Sequence, residues 1–175
     1  MSNIIFNIFS VASFSIGDAA LILLGEKLGE GDKLSTWFMS KHFIKLAIGV
    51  GLVVGMFTIV IAKPLSGIFD LTDEGKRDVF LVIIVFGATM FLDLFSGLMI
   101  TGILRAGGDT RFAMIAESSC VWLVGVPMAF LAALVFHLPI HIAVLLTRTE
   151  QLVKNTILLY RYRSKKWMNT VIEDL

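Results

Sequence analysis

The chain has 175 residues, 57% of them hydrophobic and 17% charged, with a formal net charge of +1, and its mean hydropathy is +0.86. A soluble domain holds about 45–50% apolar and about 25% charged residues, so water is excluded as the solvent for most of this surface. The near-neutral balance, without a large basic or acidic tail, gives no reason to invoke nucleic acid. The apolar residues gather in runs about twenty long, enough for a helix to cross a hydrocarbon core, so length counts membrane crossings rather than domains.

The first run, about 4–24, is rich in small residues, with Ser13 and Gly17 four apart and Asp18 as its only charge. Small residues at that spacing let membrane helices approach closely, so this face should meet protein. No Lys or Arg precedes Lys27, so the basic region of a cleavable signal peptide is missing and Met1 to Leu24 should be retained. Gly25 to Lys41 reads as an exposed polar loop in which Gly29 and Gly31 permit a turn. The second span, about 43–62, carries Gly51 and Gly55 as a GxxxG pair suited to tight helix contact, and Lys63 and Pro64 should stop it. Leu65 to Asp78 reads as a short connection along the interface.

The third span, about 79–104, contains one charge, Asp93, and ends at the turn RAGGDTR, Arg105 to Arg111. Asp109 is placed to cap the next helix. The fourth span, about 112–136, holds Glu117 near its start, then Cys120 and Trp122, and Pro127, which removes a backbone donor and should kink it. The fifth, about 140–160, admits Arg148, Glu150 and Lys154. It leads into RYRSKKW, a basic aromatic cluster expected at a membrane surface.

Alternating the loops across the membrane puts Lys27, Lys33, Lys41, Lys45, Arg105, Arg111, Arg161, Arg163, Lys165 and Lys166 on one side, and only Lys63, Lys76 and Arg77 on the other. The positive-inside rule makes the first side cytoplasmic, with the C-terminus inside and the N-terminus outside. An initiating Met outside the membrane suggests a missing upstream half.

A charge at the centre of a span costs about 3 kcal/mol on insertion scales. Asp93, roughly 18 Å along its helix from Arg105, is therefore the candidate site for a proton, a sodium ion or a cationic substrate; the plainer reading is a protonated or paired carboxylate. Glu150 and Lys154 stand one turn apart in the order that favours an ion pair, structural in the simpler reading and a gate in the other. Asp18 and Glu117 lie near span ends. The RAGGDTR turn lacks the GK[ST] of a phosphate-cradling loop; Arg105 complements the negative end of the third helix and the glycines make the turn. His42, His137 and His141 occupy span ends without metal-ligand companions, so they read as interfacial side chains and no metal site is expected. Cys120, the single cysteine, reads as packing. No GxSxG or paired Ser, His and Asp constellation is present, so no catalytic residue and no enzyme is expected.

GILRAGGDTRF, Gly102 to Phe112, resembles the signature loop of the multidrug and toxic compound extrusion (MATE) family. WLVGVPMAFL, Trp122 to Leu131, then HLP, Glu150, Lys154 and RYRSKKW resemble the last two helices and tail of bacterial members. IGDAALILLGEKLGEGD, Ile16 to Asp32, resembles a helix and cytoplasmic loop of the same family. The resemblance implies an all-α polytopic membrane helix bundle, with 1–175 as a single transmembrane domain of about five transmembrane helices from one MATE-like lobe. Family members have twelve helices in two lobes and expel cationic drugs in exchange for sodium ions or protons, so the coupling ion takes the place of a cofactor. The implied partners are the lipid bilayer, a cationic small-molecule substrate, and a missing N-terminal lobe or partner chain. The implied location is the plasma (inner) membrane, multi-pass. Asp93 falls in the family's tenth helix, where some members use an acidic residue for ion coupling. Arg105, Gly107, Gly108, Asp109 and Thr110 carry over as loop-shaping residues. Two rivals stand beside this reading: a lipid-linked sugar flippase, which a basic cavity would favour, and a non-transporting remnant or subunit needing a partner lobe.

Overall fold

The computed structural model describes residues 2–67 and 72–168, with side chains from Ser15 onward except that of Leu65. Six helices follow in chain order: α1 Ser2–Gly29, α2 Lys33–Gly67, α3 Asp73–Ala106, α4 Thr110–Val135, α5 Ile140–Thr147 and α6 Thr149–Arg163. The described residues contain no strand. Among the described residues, three helices, α2 to α4, are long and apolar enough to cross a membrane. Their outward faces are greasy: Val53, Met56 and Val60 on α2 and Trp122 and Leu123 on α4 stand exposed, as hydrocarbon requires and water would penalise. The fold is an all-α membrane helix bundle.

Helix ends extend beyond the spans that hydropathy marks. Gly25 to Lys41 is not an exposed loop: α1 runs to Gly29 and α2 starts at Lys33. The link is tight, with Gly31 at φ +79° and the Asp32 carboxylate accepting from the Ser35 amide at 3.0 Å. Hydropathy locates where a helix leaves the hydrocarbon, whereas a cap and a left-handed glycine locate where it ends. Likewise Lys63 and Pro64 do not stop α2, which continues to Gly67 with Pro64 inside it. A proline one turn from a helix end forfeits a single hydrogen bond, to the carbonyl four residues back. The expected interfacial connection Leu65 to Asp78 shrinks accordingly: α3 begins at Asp73, capped by the Thr72 hydroxyl, which accepts from the Gly75 amide. Residues 68–71 of that connection, and Ser13 as a side chain, lie outside what is described.

Glycines set the closest helix contacts. A Cβ on Gly51 would sit 2.6 Å from the Phe91 Cα, one on Gly55 would strike the Gly87 carbonyl oxygen, and one on Gly87 would meet the Gly55 oxygen at 2.9 Å. The GxxxG pair of α2 therefore lies directly on α3, backbone to backbone. Gly17 of α1 faces the Thr101 side chain, and Gly102 lies against the Ala20 side chain and the Gly17 carbonyl oxygen, at a π-helical turn of α3, Leu98–Ile103.

Pro127 is accommodated through a change of hydrogen-bond register. A π-helical turn, Val121–Gly125, comes just before it, and the Val126 amide reaches back to the Val121 carbonyl. Widened turns of this kind absorb the proline and carry the bends of such helices. The fifth span is not continuous. It breaks at Arg148 into α5 and α6, and the Thr147 and Thr149 hydroxyls donate to the Val144 and Leu146 carbonyls at 2.7 Å, which keeps the backbone satisfied where the helix opens.

The buried core gathers at the end of the bundle that carries the RAGGDTR turn: Leu24, Leu28, Leu98, Ile103, Leu104, Leu158, Tyr162 and Trp167 are all buried. It fixes the ends of α1, α3 and α6 together, and polar side chains of α3, α4 and α6 meet beyond it.

Candidate functional site

Asp93 does not stand alone. The Arg148 guanidinium donates through Nη1 to both of its carboxylate oxygens, at 2.9 and 3.1 Å, and lies over the Phe86 ring at 4.1 Å. The helix break delivers this cation, since Arg148 is the residue between α5 and α6. Both partners are largely buried, with side chains 27% exposed for Asp93 and 14% for Arg148. A charge that expensive in hydrocarbon is retained where a partner neutralises it.

A second ionic group lies beside the first. Lys154 Nζ is 3.2 Å from Glu150 Oε1 and 3.8 Å from Glu117 Oε1, and its side chain is 6% exposed. The i,i+4 pair of α6 is thus a three-member group that includes α4. Gly125 makes room for it, because a Cβ there would lie 2.8 Å from Glu150 Oε2. Hydrogen bonds join the two groups through α3: Ser96 Oγ donates to Gln151 Oε1 at 3.4 Å and Asn155 Nδ2 donates to the Leu92 carbonyl at 3.1 Å. The Asn155 Oδ1 atom is buried without a donor. Cys120, the free thiol, is buried in the same region of α4.

The signature turn has a different partner from the one its sequence suggests. Asp109 precedes α4 but makes no capping hydrogen bond with its side chain. Its carboxylate accepts instead from Arg161 Nε at 2.6 Å and Arg161 Nη2 at 3.1 Å. A guanidinium offers two parallel donors, which outcompete single backbone amides, and the hydrogen bond holds the Arg161 guanidinium charged above its ordinary value. Gly107 is pressed against the Trp167 carbonyl, where a side chain has no room, and Gly108 turns the chain at φ +75°. Arg105 and Thr110 are exposed at the same turn. Trp37 stacks on Tyr162 at 4.6 Å, Tyr162 on Trp167 at 5.9 Å, and the Tyr162 and Ser40 hydroxyls are 2.8 Å apart. The basic tail is thereby clamped to α2 and to the turn.

The remaining titratable groups scatter. His42 Nδ1 lies against the Phe38 carbonyl and His141 Nδ1 is 2.9 Å from Asp78 Oδ1. Sequence spacing found the Glu150–Lys154 pair but did not pair Asp93 with Arg148, Lys154 with Glu117 or Asp109 with Arg161, and it passed over Asn155. The one available signal was charge complementarity: a carboxylate in one apolar span and a guanidinium in another are costly until they meet.

A helical bundle with long apolar faces and ion pairs buried between its spans defines a multi-pass protein of the lipid bilayer. The model for the MatE family matches residues 1–131, and the chain belongs to that family. Its relatives include the probable multidrug resistance protein NorM of Photorhabdus laumondii, 29% identical over 140 residues, which cover 75% of this chain and 30% of that protein. Another is the multidrug resistance protein MdtK of Edwardsiella ictaluri, 28% identical over 125 residues, covering 71% of this chain and 27% of that protein. The chain thus spans about 30% of the length of the curated relatives it matches. No solved structure gives a significant match.

Proposed function

We propose that the chain is part of a secondary active antiporter that exports cationic drugs or toxic compounds in exchange for sodium ions or protons, and that Asp93 is its cation-binding carboxylate. The observation that carries this reading is the mid-span Asp93–Arg148 pair. A carboxylate that holds a guanidinium, a flat delocalised cation over an aromatic ring, presents the chemistry that recognises an organic cation. Arg148 then acts as the internal counter-ion that leaves when substrate arrives. Arg148 stands at the break between α5 and α6, and broken helices with polar groups at mid-membrane are where transporters place their sites.

In this reading 1–175 is a single transmembrane unit that works with further helices of a longer polypeptide or a partner chain, in agreement with the greater length of NorM and MdtK. The basic turn and tail face the cytoplasm, and the C-terminus lies inside.

The test is export of ethidium from cells lacking their own efflux pumps, with the chain produced alone and joined to the complementary portion of a relative. Export by the joined protein, abolished by Asp93→Asn at unchanged expression, supports the proposal. Equal export with and without the Asp93 carboxylate refutes its assignment.

A further inference from the structure

A groove opens between the end of α3 and the start of α4. Ile100, Thr101 and Arg105 form one wall and Thr110, Ala113 and Met114 the other, around a cavity of about 330 Å³. Both helices are long and apolar enough to span a membrane, and Arg105 and Thr110 stand at their adjoining ends. The other four residues lie about one turn farther in, roughly 5–8 Å along the helix axes. The groove is therefore cationic and polar where headgroups lie and apolar where hydrocarbon begins. Thr101 fits this order, because its hydroxyl donates to the Gly97 carbonyl at 2.8 Å and is satisfied within its own helix.

Charge decides what the groove takes. The carboxylate of the turn, Asp109, accepts from two nitrogens of Arg161, and Glu117, beyond Met114 on α4, faces Lys154 at 3.8 Å. Arg105, by contrast, makes no hydrogen bond or ion pair among the described residues. With Asp109 drawn to Arg161, α4 also lacks a side-chain cap, so its positive end favours an anion. A free guanidinium beside a hydroxyl offers the donors that a phosphate accepts. We propose that this groove holds an acidic phospholipid, with Arg105 and Thr110 on its headgroup phosphate and an acyl chain along Ile100, Ala113 and Met114.

Basic pockets between membrane helices hold acidic headgroups for this reason. The cavity is too small for a whole lipid, so the rest of the chain continues over the outer face of α4, where Met114 is 68% and Val121 37% exposed. The apolar wall separates a lipid from free phosphate, which would leave Ile100 and Met114 facing water. The site lies apart from Asp93 and does not rest on the transport reading.

The test is native mass spectrometry of the full chain in detergent, equilibrated with equal amounts of phosphatidylglycerol and phosphatidylcholine of the same acyl chains. The proposal expects one phosphatidylglycerol retained in preference by about fivefold or more, the contribution of one basic side chain near an acidic surface. Arg105→Gln abolishes that preference. Met114→Trp, which keeps the charge and fills the groove from its exposed side, lowers retention of both lipids. Arg111→Gln removes an exposed cation that does not line the groove and leaves the preference unchanged. All three positions are exposed, and a melting curve checks that each variant folds. Equal retention of the two lipids by the parent chain overturns the proposal. So does a preference that Arg111→Gln removes as fully as Arg105→Gln, since general surface charge then suffices. Retention that vanishes when the chain is joined to the complementary portion of a relative overturns it too, because the groove is then the seat of a further helix.

Discussion

Arg148 decides whether Asp93 is affordable in the membrane. Removing it by Arg148→Ala leaves a mostly buried carboxylate without a partner, and such losses cost about 3–5 kcal/mol when burial is complete. With Asp93 27% exposed, a loss of about 2–3 kcal/mol in denaturation by dodecyl sulfate is predicted, largely recovered in Asp93→Asn with Arg148→Gln. If the double variant is as unstable as the single one, the pair is not what stabilises this layer. At the turn, Asp109→Ala removes both acceptors of Arg161 and is predicted to cost about 1–3 kcal/mol and to expose the tail to trypsin. Unaltered cleavage at Arg161 to Lys166 would show that the aromatic clamp suffices. Asp109 also shows why a residue's local pattern misleads: it stands at a helix N-cap in sequence, but its strongest donor is 52 positions away.

Among the elements, α2 and α3 come into close contact where glycine backbones touch. Gly87→Leu would drive a side chain into Ile59 and the Gly55 carbonyl, and overpacking of this kind costs about 1–3 kcal/mol. Gly97→Ala, with nothing within 4 Å of the new Cβ, is the control and should melt at or above the parent temperature in detergent. The two variants melting alike would argue against the glycine contact. This contact was legible beforehand, because Gly51 and Gly55 mark a face by their spacing alone. The apolar runs behind α2, α3 and α4 were legible for the same reason. What could not be read was where helices end and how the last one breaks: Arg148, Thr147 and Thr149 carry no break signal such as Gly or Pro, and the Arg148 side chain is held by Asp93 on another helix, 55 positions away. The π turn before Pro127 was hidden too, since a proline announces a missing donor but not how the helix will absorb it.

Across the whole molecule, the buried core sits at the basic end and the ionic layer lies at mid-span, with apolar side chains facing outward along α2 and α4. That distribution suits a bilayer, and dilution out of detergent is predicted to precipitate the chain; a soluble monodisperse species in water would contradict it. Family membership says which fold these helices belong to, while the site makes a sharper claim: a cation held at Asp93, with Arg148 as the group it displaces. Equilibrium binding of tetraphenylphosphonium to the purified chain in detergent, with Asp93→Asn alongside, tests that claim most directly. The account predicts saturable binding that weakens about tenfold or more without the carboxylate, a loss near 1.4 kcal/mol or greater. Binding of equal strength in both proteins would contradict it.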